Sequence, residues 1–276
     1  MNEDINIEFG RADERALFVQ THKEFIKCRP LLYDAFTKAF FREYPPKLSF
    51  QDFIVVALGK LCVDHFDDIE LLCANRCGDG AFIIVRSMFE KLVDAHYIHA
   101  HPEKAESFRD FFFVHMRTVR NQIENTYGKE SISDDYRSIV DTNFERVREE
   151  FSYKTNKGKE KTKSSWSDKG LVDMAIEVGL RDFLVPAYYV PIEKAHPSVP
   201  SVMSQAKDVG HNKKLLFGKD FHTEREVCSD ALMVAHRIIL KVLILQCQHF
   251  QLSDLDPLIE KCQTECAAIW KGYRKK

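Results

Sequence analysis

The sequence predicts an all-α protein, a multi-helix bundle of about eight or nine helices. Three observations support this fold class. Only 11 Gly and 9 Pro interrupt 276 residues, so long stretches carry no helix breaker. Apolar residues recur at helical spacing along most of the chain, whereas strand-like alternation between turn signals does not recur. The hydrophobic fraction of 45%, with 21 Phe, is ample for a packed core.

Four helices are predicted in the N-terminal half, at about 13–44, 49–72, 81–100 and 101–128. Pro30 marks a break or kink in the first helix. Ser49 is a favourable N-cap for the second. Gly78-Asp79-Gly80 is predicted to be a turn before the third helix, which is the most apolar of the chain and is therefore expected at its centre. Pro102 suits the first turn of the fourth.

The C-terminal half is predicted to hold further helices at about 133–153, 169–179, 183–203 and 224–250, and a last one from 254 to the basic tail at 271–276. Pro191 and Pro197 interrupt the segment 183–203. The stretch 154–165 is rich in Lys, Ser and Thr and is predicted to be a mobile loop. A polar loop is expected at 208–222. No internal repeat is evident, and we expect a single helical domain over residues 1–276.

Composition and charge exclude several classes of protein. The formal charge of -2 gives no global basic excess, so broad nucleic-acid coating is disfavoured, although a small RNA-cleaving site is not. The N-terminus lacks the pattern of a signal peptide, and no apolar run approaches the ~18 residues of a membrane-spanning helix. Eight cysteines within apolar stretches resemble free buried thiols. The expected location is the cytoplasm.

A charged pair interrupts the central apolar helix. Arg86 follows a uniformly apolar run, and Glu90 stands four positions later on the same helical face, close to Asp94 and Tyr97. A charge in such a helix is costly unless it is paired. The pair either joins neighbouring helices structurally or forms half of a polar pocket inside the bundle.

A second polar segment runs from Tyr188 and Tyr189 to His196-Pro197-Ser198. Because His196 precedes a proline, its backbone is biased away from helix and its ring is expected at a helix end. A histidine there can donate or accept a proton near neutral pH. The alternative is a surface or capping histidine.

These segments resemble a known family. Arg86-Ser87-Met88-Phe89-Glu90, Trp166-Ser167-Asp168-Lys169 and the segment 188–198 are similar to a pattern in bacterial all-helical proteins of unknown function. The resemblance covers about 61–203. Where that family often has a Ser several residues before the His, this chain has Pro191 or Ile192. The family has no settled activity, so the resemblance implies a helical fold and no particular reaction.

A weaker resemblance is to the HEPN ribonucleases of toxin and antiviral systems. Their Arg, a few residues before a His, is matched loosely by Arg109 and His115. The resemblance implies metal-independent RNA cleavage by a dimer in bacterial defence. Six positions on an ideal helix leave the two side chains about 120° apart, which is poor geometry for one site. Arg120-Asn121 is a second partial match, with Asn125 where a His is wanted.

No metal or cofactor is predicted. Cys73 and Cys77 stand four apart, as do Cys262 and Cys266, and this spacing favours paired buried thiols over the tighter zinc turn. A histidine cluster near the end of the central helix does not define a single face; its members are His96, His99 and His101. Phosphate loops, dinucleotide fingerprints and nucleophile elbows are absent from the sequence.

Three functional hypotheses follow. The first is an enzyme acting on RNA or a nucleotide, a metal-independent ribonuclease or nucleotide hydrolase, in which Arg86 binds a phosphate, Glu90 orients Arg86 and His196 transfers protons. Five residues are candidates for substrate binding in this hypothesis: Tyr97, Arg109, His115, Tyr188 and Tyr189. The second is a protein-interaction module whose Phe-rich helix around 111–113 contacts a second copy or another protein. The third is a small-molecule sensor with a pocket lined by Tyr97, Tyr188 and Tyr189.

Overall fold

Ten α-helices carry the fold in the part of the chain that the structure describes. The computed structural model describes residues 12–44, 46–196, 206–209, 214–217 and 221–273. The helices are α1 (Ala12–Thr21), α2 (Lys23–Phe40), α3 (Phe50–Ala74), α4 (Gly78–Ala100), α5 (Lys104–Tyr127), α6 (Asp134–Phe151), α7 (Leu171–Glu177), α8 (Val190–Ala195), α9 (Phe221–Phe250) and α10 (Asp256–Tyr273). The prediction of an all-α, multi-helix fold is confirmed, with slightly more helices than the eight or nine expected.

Short irregular elements connect these helices. Single 3₁₀ turns lie at Lys129–Ser131, Arg181–Phe183 and Ser253–Leu255, and Val185–Tyr189 forms a π-helical turn directly before α8. Pro191 lies in the first turn of α8, where its missing N–H costs no helical bond. It therefore does not interrupt that helix as the sequence suggested. Pro197, the other proline of this segment, lies outside the described residues.

Two small antiparallel hairpins replace predicted loops. Strand β1 (Ser152–Lys154) occupies the end of the predicted helix 133–153 and pairs with β2 (Glu160–Thr162), which lies in the stretch expected to be a mobile loop. Strand β3 (Ala206–Val209) begins just before the polar loop expected at 208–222 and pairs with β4 (Lys214–Phe217) inside it; residues 210–213 and 218–220 lie outside the described residues. The mobility of 154–165 and the single-domain organisation stay predictions.

The first helix breaks at His22, and the predicted break at Pro30 was wrong. Pro30 lies inside α2, whereas α1 ends at Thr21. The His22 ring is 2% exposed and lies against Phe18 and the Oγ of Ser229, which is 3.1 Å from its Nε2. Burial lowers the pKa of His22 to about 4, so the ring is neutral at physiological pH. We attribute the break to the anchoring of this side chain, which a periodicity argument does not detect.

Helix α3 begins as predicted, but the turn after it comes earlier. Ser49 Oγ accepts from the Asp52 N–H, and Asp52 accepts from the Ser49 N–H, a complete capping box. The chain reverses at 75–77, where Arg76 has φ 59°, and α4 already begins at Gly78. A Cβ at Gly78 would lie 2.7 Å from Val227 Cγ1, so glycine there permits close approach of α4 to α9 rather than a turn.

Helices α3, α4 and α9 form the centre of the bundle, as expected for the apolar helix 81–100. Their core is filled by aromatic rings: Phe66 on α3 and Phe89 on α4 are fully buried, and Phe25 and Phe36 of α2 pack on Phe66. Helix α10 packs against α2 and α9, and α7 and α8 cover α4. Helices α5 and α6 form a hairpin with its own small apolar cluster, comprising Val114, Phe144, Val147 and Phe151.

The cysteines are free thiols, and all are buried except Cys77. The expected pair of buried thiols at Cys73 and Cys77 is wrong, because Cys77 is exposed and Cys73 bonds Cys228. Cys262 and Cys266 are both buried, and Cys266 also bonds Cys28 of α2. Within the described ranges, no helix has the length and apolar character that a bilayer crossing requires.

Candidate functional site

The first polar region lies on α4 and includes Arg86 and Glu90. Arg86 Nε donates to Glu90 Oε1 at 2.8 Å, so the four-residue spacing does produce an ion pair. The side chains are 28% and 39% exposed, so this is not the buried charge that the surrounding apolar sequence suggested. Exposed pairs of this kind contribute about 0.3–0.5 kcal/mol to stability.

Tyr188 joins this pair from the π-helical turn. The Arg86 guanidinium lies 5.1 Å from the centre of the Tyr188 ring, a cation–π distance. Tyr189 contacts Tyr188 edge to face and is 48% exposed. Further along, Lys194 Nζ is 3.2 Å from Asp79 Oδ1. The segment from Tyr188 through α8 therefore runs antiparallel along α4.

His196 lies at the far end of this contact. It is the exposed C-cap of α8, two residues beyond the Lys194 contact with Asp79. Seven residues of helix separate Asp79 from Arg86, a rise of about 10 Å. The structure thus brings Arg86, Glu90 and Tyr188 together and places His196 near the other end of α4. A site made of Arg86, Glu90 and His196 stays a prediction.

Asp94 continues the polar face of α4 beneath the Trp166 segment. Trp166 Nε1 donates to Asp94 Oδ1 at 3.2 Å, and the indole contacts the buried Tyr97 ring. Burial raises the pKa of Asp94 to about 7, with the nearby Glu90 adding to the rise and the indole N–H opposing it. Asp94 therefore changes charge near neutral pH.

Arg109 and His115 share the continuous helix α5 but face different directions. Arg109 Nε donates to Asp110 Oδ1 at 2.8 Å, and its guanidinium lies 5.3 Å from the centre of the Phe50 ring. His115 is exposed, six positions further along. At about 100° per residue the two side chains point about 120° apart, so the helix does not bring them together.

Two of the three Phe residues at 111–113 of α5 pack against α6. Phe111 packs on Phe151, and Phe113 lies beneath the Arg146 guanidinium. Phe112 alone of the three is exposed, at 58%. A role of this run in binding a second copy or another protein stays a prediction.

The second polar region is a hydrogen-bonded chain that links Asp52, His249 and His99. Asp52 Oδ1 lies 2.9 Å from His249 Nε2, and His249 Nδ1 lies 2.8 Å from His99 Nδ1. The three residues come from the first turn of α3, the last turn of α9 and the last turn of α4. The His249 side chain is only 6% exposed, so this middle member is shielded from water.

The chemistry of the chain follows from its donors and acceptors. With Asp52 ionised, His249 donates from Nε2 to the carboxylate. A neutral His249 then accepts at Nδ1 from His99, which leaves His99 Nε2 with a free lone pair. If His249 gains a proton, its Nδ1 becomes the donor and His99 accepts. One proton can thus be held on either ring, and Asp52 stabilises the charged form of His249.

The pKa directions agree with this arrangement. Burial alone would raise the pKa of Asp52, but hydrogen bonds from Ser49 and His249 outweigh it and lower that pKa. Burial, with the neighbouring His249, lowers the pKa of His99 below its usual 6.5. Asp52 is therefore ionised and His99 is neutral near pH 7, the state in which His99 acts as a base.

Sequence reasoning missed this chain because its members are far apart in sequence. His99 and His249 are 150 positions apart, and the helix start predicted at Ser49 gave no reason to single out Asp52. The three clustered histidines do face different partners, as expected. His96 is buried with a pKa lowered by burial to about 4, His99 belongs to the chain, and His101 lies 3.0 Å from Glu177. A polar His249 ending an apolar helix was the one available signal.

Other functional groups border the first turn of α3. Gln51 Nε2 donates to the carbonyls of Ile98 and His99 at 2.9 and 3.3 Å and fixes the end of α4 against α3. Phe50, which Arg109 covers, is 37% exposed, and Phe53 beside it is 57% exposed. A cation and an accessible ring therefore flank the turn that carries Asp52.

In the described part of the chain, no group of three or more His, Cys, Asp or Glu side chains has the arrangement to hold a metal ion. No curated protein and no solved structure matches the chain. The similarity to HEPN ribonucleases therefore has no support from these comparisons.

One family model does match, over residues 52–212, and its description is a family of unknown function (DUF5677). The matched range is more than half of the chain and includes Arg86, Glu90, Asp94, His99 and Trp166, but not His249. The expected resemblance to a family of unknown function is confirmed. The chain therefore belongs to DUF5677, a family of unknown function.

Proposed function

We propose that this protein is a ribonuclease that cleaves RNA without a metal ion, with Asp52, His249 and His99 as its proton-transfer chain. The observation that carries the proposal is the hydrogen-bonded sequence Asp52–His249–His99, with its middle member almost fully buried. A carboxylate that orients one histidine, which in turn polarises a second, is an arrangement suited to general acid–base work.

The reaction that this chain suits is attack of a ribose 2′-hydroxyl on the adjacent phosphorus. His99 Nε2 takes the 2′-hydroxyl proton as the oxygen–phosphorus bond forms, and His249 and Asp52 stabilise the resulting positive charge. The bond from phosphorus to the 5′-oxygen breaks, and that oxygen takes a proton from water. The hydroxide left behind recovers the proton from His99. The products are a 2′,3′-cyclic phosphate and a 5′-hydroxyl.

Arg109 and an exposed ring support RNA as the substrate class. Arg109 supplies a cation beside the first turn of α3, suited to a phosphate and to the charge of the transition state. Phe53 in the same neighbourhood is 57% exposed, and single-stranded bases stack on such accessible rings. A defence setting, as in toxin and antiviral systems, is compatible with this activity and is part of the proposal.

The test is cleavage of a mixed-sequence, fluorescently labelled RNA in the presence of EDTA. We expect His99→Ala and His249→Ala to lose about 100-fold or more of the wild-type rate, because general acid–base catalysis contributes on that scale. His101→Ala is the matched control, since His101 ends the same helix but bonds Glu177 instead. Absence of cleavage by folded wild type, or equal rates for wild type and His99→Ala, would overturn the proposal.

The pH profile gives a second readout. Because the pKa of His99 is lowered, the rate should rise with pH through a midpoint below 6.5 and level off above it. Asp52→Asn keeps the side-chain acceptor but removes the charge that stabilises protonated His249. It should lower the plateau of the profile, and a plateau equal to that of wild type would contradict the assigned role of Asp52.

A second candidate function is favoured by Asp94. Its carboxyl group lies next to Glu90, bonds the Trp166 indole, which contacts Tyr97, and titrates near neutral pH. These groups suit a small polar ligand bound in a sensing role without catalysis. Fluorescence of a Trp270→Phe variant, which leaves Trp166 as the only indole, should then respond to such a ligand and lose the response in Asp94→Asn.

A further inference from the structure

A polar cavity of about 300 Å³ lies between helices α5 and α6 and the β1–β2 hairpin. It is separate from both regions described above. Its floor is formed by Val114 and Phe144, and its walls are polar: Arg117, Thr118, Asn121, Arg148, Ser152, Glu160, Lys161 and Thr162. Three of these wall residues are cations, and one is an anion.

Arg117 is the unusual member of this lining. Its guanidinium is stacked on the Phe144 ring, 3.8 Å from the ring centre, and its Nε is buried without a hydrogen-bond partner. In the described part of the chain, no carboxylate lies within ion-pair distance of it. The other arginines of α5 and α6 all have such partners: Arg109 and Arg146 with Asp110, Arg120 with Asp141, Arg137 with Glu124, and Arg148 with Glu160. Stacking fixes the plane of Arg117. The carboxylate of Asp141 attracts it electrostatically, but that carboxylate forms its ion pair with Arg120, at 3.0 Å.

The charges around Arg117 do not neutralise it. Glu160, the one carboxylate in the lining, is bonded through both oxygens to Arg148, at 2.9 and 2.8 Å. Lys161 is exposed, and no described carboxylate pairs with it. The lining of the cavity therefore contains one ion pair, between Arg148 and Glu160, and two further positive charges, on Arg117 and Lys161.

Asn121 presents donors to the same space. Its Oδ1 already accepts from Arg120 Nε at 3.1 Å, so the amide nitrogen, with two N–H donors, is the group that Asn121 can offer to a ligand. Two N–H donors from Asn121, the fork of Arg117 and the Lys161 ammonium are the groups with which proteins bind tetrahedral oxyanions.

We propose that this cavity binds the phosphate group of a small molecule. Arg117 provides a planar fork for two of its oxygens, Asn121 donates to a third, and Lys161 closes the site from the hairpin. Phosphate offers more acceptor oxygens than a carboxylate does, and it therefore matches the several N–H donors of this lining better. Lys154, Lys157 and Lys159 on the same hairpin are exposed and attract anions toward it.

The experiment is isothermal titration of the full-length protein with inorganic phosphate, pyrophosphate, adenosine 5′-monophosphate and acetate. We expect the phosphate compounds to bind and acetate not to bind. Arg117→Gln should weaken binding about 10-fold or more, the scale of a lost charge-assisted hydrogen bond. Arg15→Gln, which removes an exposed charge from α1, is the control for net charge and should leave affinity unchanged.

Lys161→Gln is a second test that remains usable if the Arg117→Gln variant does not fold, because Lys161 lies on the exposed surface of β2. It should weaken phosphate binding by about threefold to tenfold, as the loss of a solvent-exposed charge contact does. Tighter binding of adenosine monophosphate than of inorganic phosphate identifies a nucleotide as the source of the group, and equal affinity identifies free phosphate. Three outcomes overturn the proposal: no phosphate binding by wild type, acetate binding as tightly as phosphate, or equal weakening by Arg117→Gln and Arg15→Gln.

Discussion

The two polar regions of this bundle differ in how they are assembled. Arg86, Glu90 and Asp94 lie on successive turns of one helix, whereas Asp52, His99 and His249 come from three helices. The first region is visible in the sequence as a four-residue spacing. The second exists only after α3, α4 and α9 have packed together.

The middle member of the second region differs from the first pair in its exposure. The Arg86, Glu90 and Asp52 side chains are 28%, 39% and 30% exposed, whereas the His249 side chain is 6% exposed. An exposed pair on one helix is screened by water and contributes little, while a shielded chain keeps its electrostatic strength. A motif read along one helix therefore identifies the weaker interaction, and the stronger one requires the tertiary structure.

The largest expected effect distinguishes the regions by activity. In the RNA-cleavage assay, His249→Ala should reduce the rate by about 100-fold or more, whereas Arg86→Gln should change it by less than about threefold. The reason is that His249 is the middle of the proton-transfer chain, while Arg86 bonds Glu90 and stacks on Tyr188. A larger loss for Arg86→Gln than for His249→Ala would indicate that the active site lies on α4. It would support the site predicted from the sequence, made of Arg86, Glu90 and His196.

The next effect concerns stability and Asp94. Its pKa is about 7 in the folded chain and near 4 in the unfolded chain, so the folded state binds the proton more tightly between these values. Wild-type stability should therefore fall as pH rises from about 4 to about 7, by roughly 2–4 kcal/mol from this group. Asp94→Asn should lack this component in urea titrations at several pH values, and the exposed Asp182→Asn should retain it. Parallel curves for wild type and Asp94→Asn would contradict the raised pKa.

A smaller effect tests the cap of α3. Ser49→Ala removes the hydroxyl that accepts from the Asp52 N–H and should cost about 1 kcal/mol of unfolding free energy. Ser133→Ala, at the equivalent position of α6, should cost a similar amount. Neither variant should lower activity beyond the loss of folded protein, because the bond between Asp52 and His249 is retained. A loss of activity confined to Ser49→Ala would show that the cap also positions the chain.

The smallest effect is the coupling between Arg86 and Glu90. A double-mutant cycle with Arg86→Gln and Glu90→Gln, measured by urea unfolding, should give about 0.3–0.5 kcal/mol, as for other exposed helical pairs. The value should decrease with added salt. A coupling of several kcal/mol would mean that the pair is shielded in solution.

Local signals predicted much of the fold. Ser49 begins α3, and Gly128, with φ 92°, ends α5 as expected. Errors arose where a distant contact decided the local structure. His22 ends α1 while its ring contacts Ser229 on α9, and Gly78 was assigned to a turn although its lack of a side chain serves the contact with Val227.

The same limit applies to the candidate sites. The Arg86–Glu90 pair and the contact between the Trp166 and α4 segments involve motifs that the sequence displays, and they were found. The chain of Asp52, His249 and His99 was missed because no spacing relates three residues on three helices. Arg117 was missed because its stacking on Phe144 depends on the packing of α5 against α6, which no spacing along α5 indicates.

The two carboxylate oxygens of Asp52 have different hydrogen-bond partners. Oδ2 accepts from the Ser49 backbone N–H and begins a helix, and Oδ1 accepts from His249. The residue at position 52 must therefore accept from the Ser49 N–H and also place a negative charge beside His249. Residue types that meet the first requirement do not all meet the second. Gln and Glu are the usual residues at this third position of a capping box, but Gln carries no charge and Glu carries the charge on a longer arm. In a saturation library, position 52 should accept fewer residue types than position 136, the third position of α6.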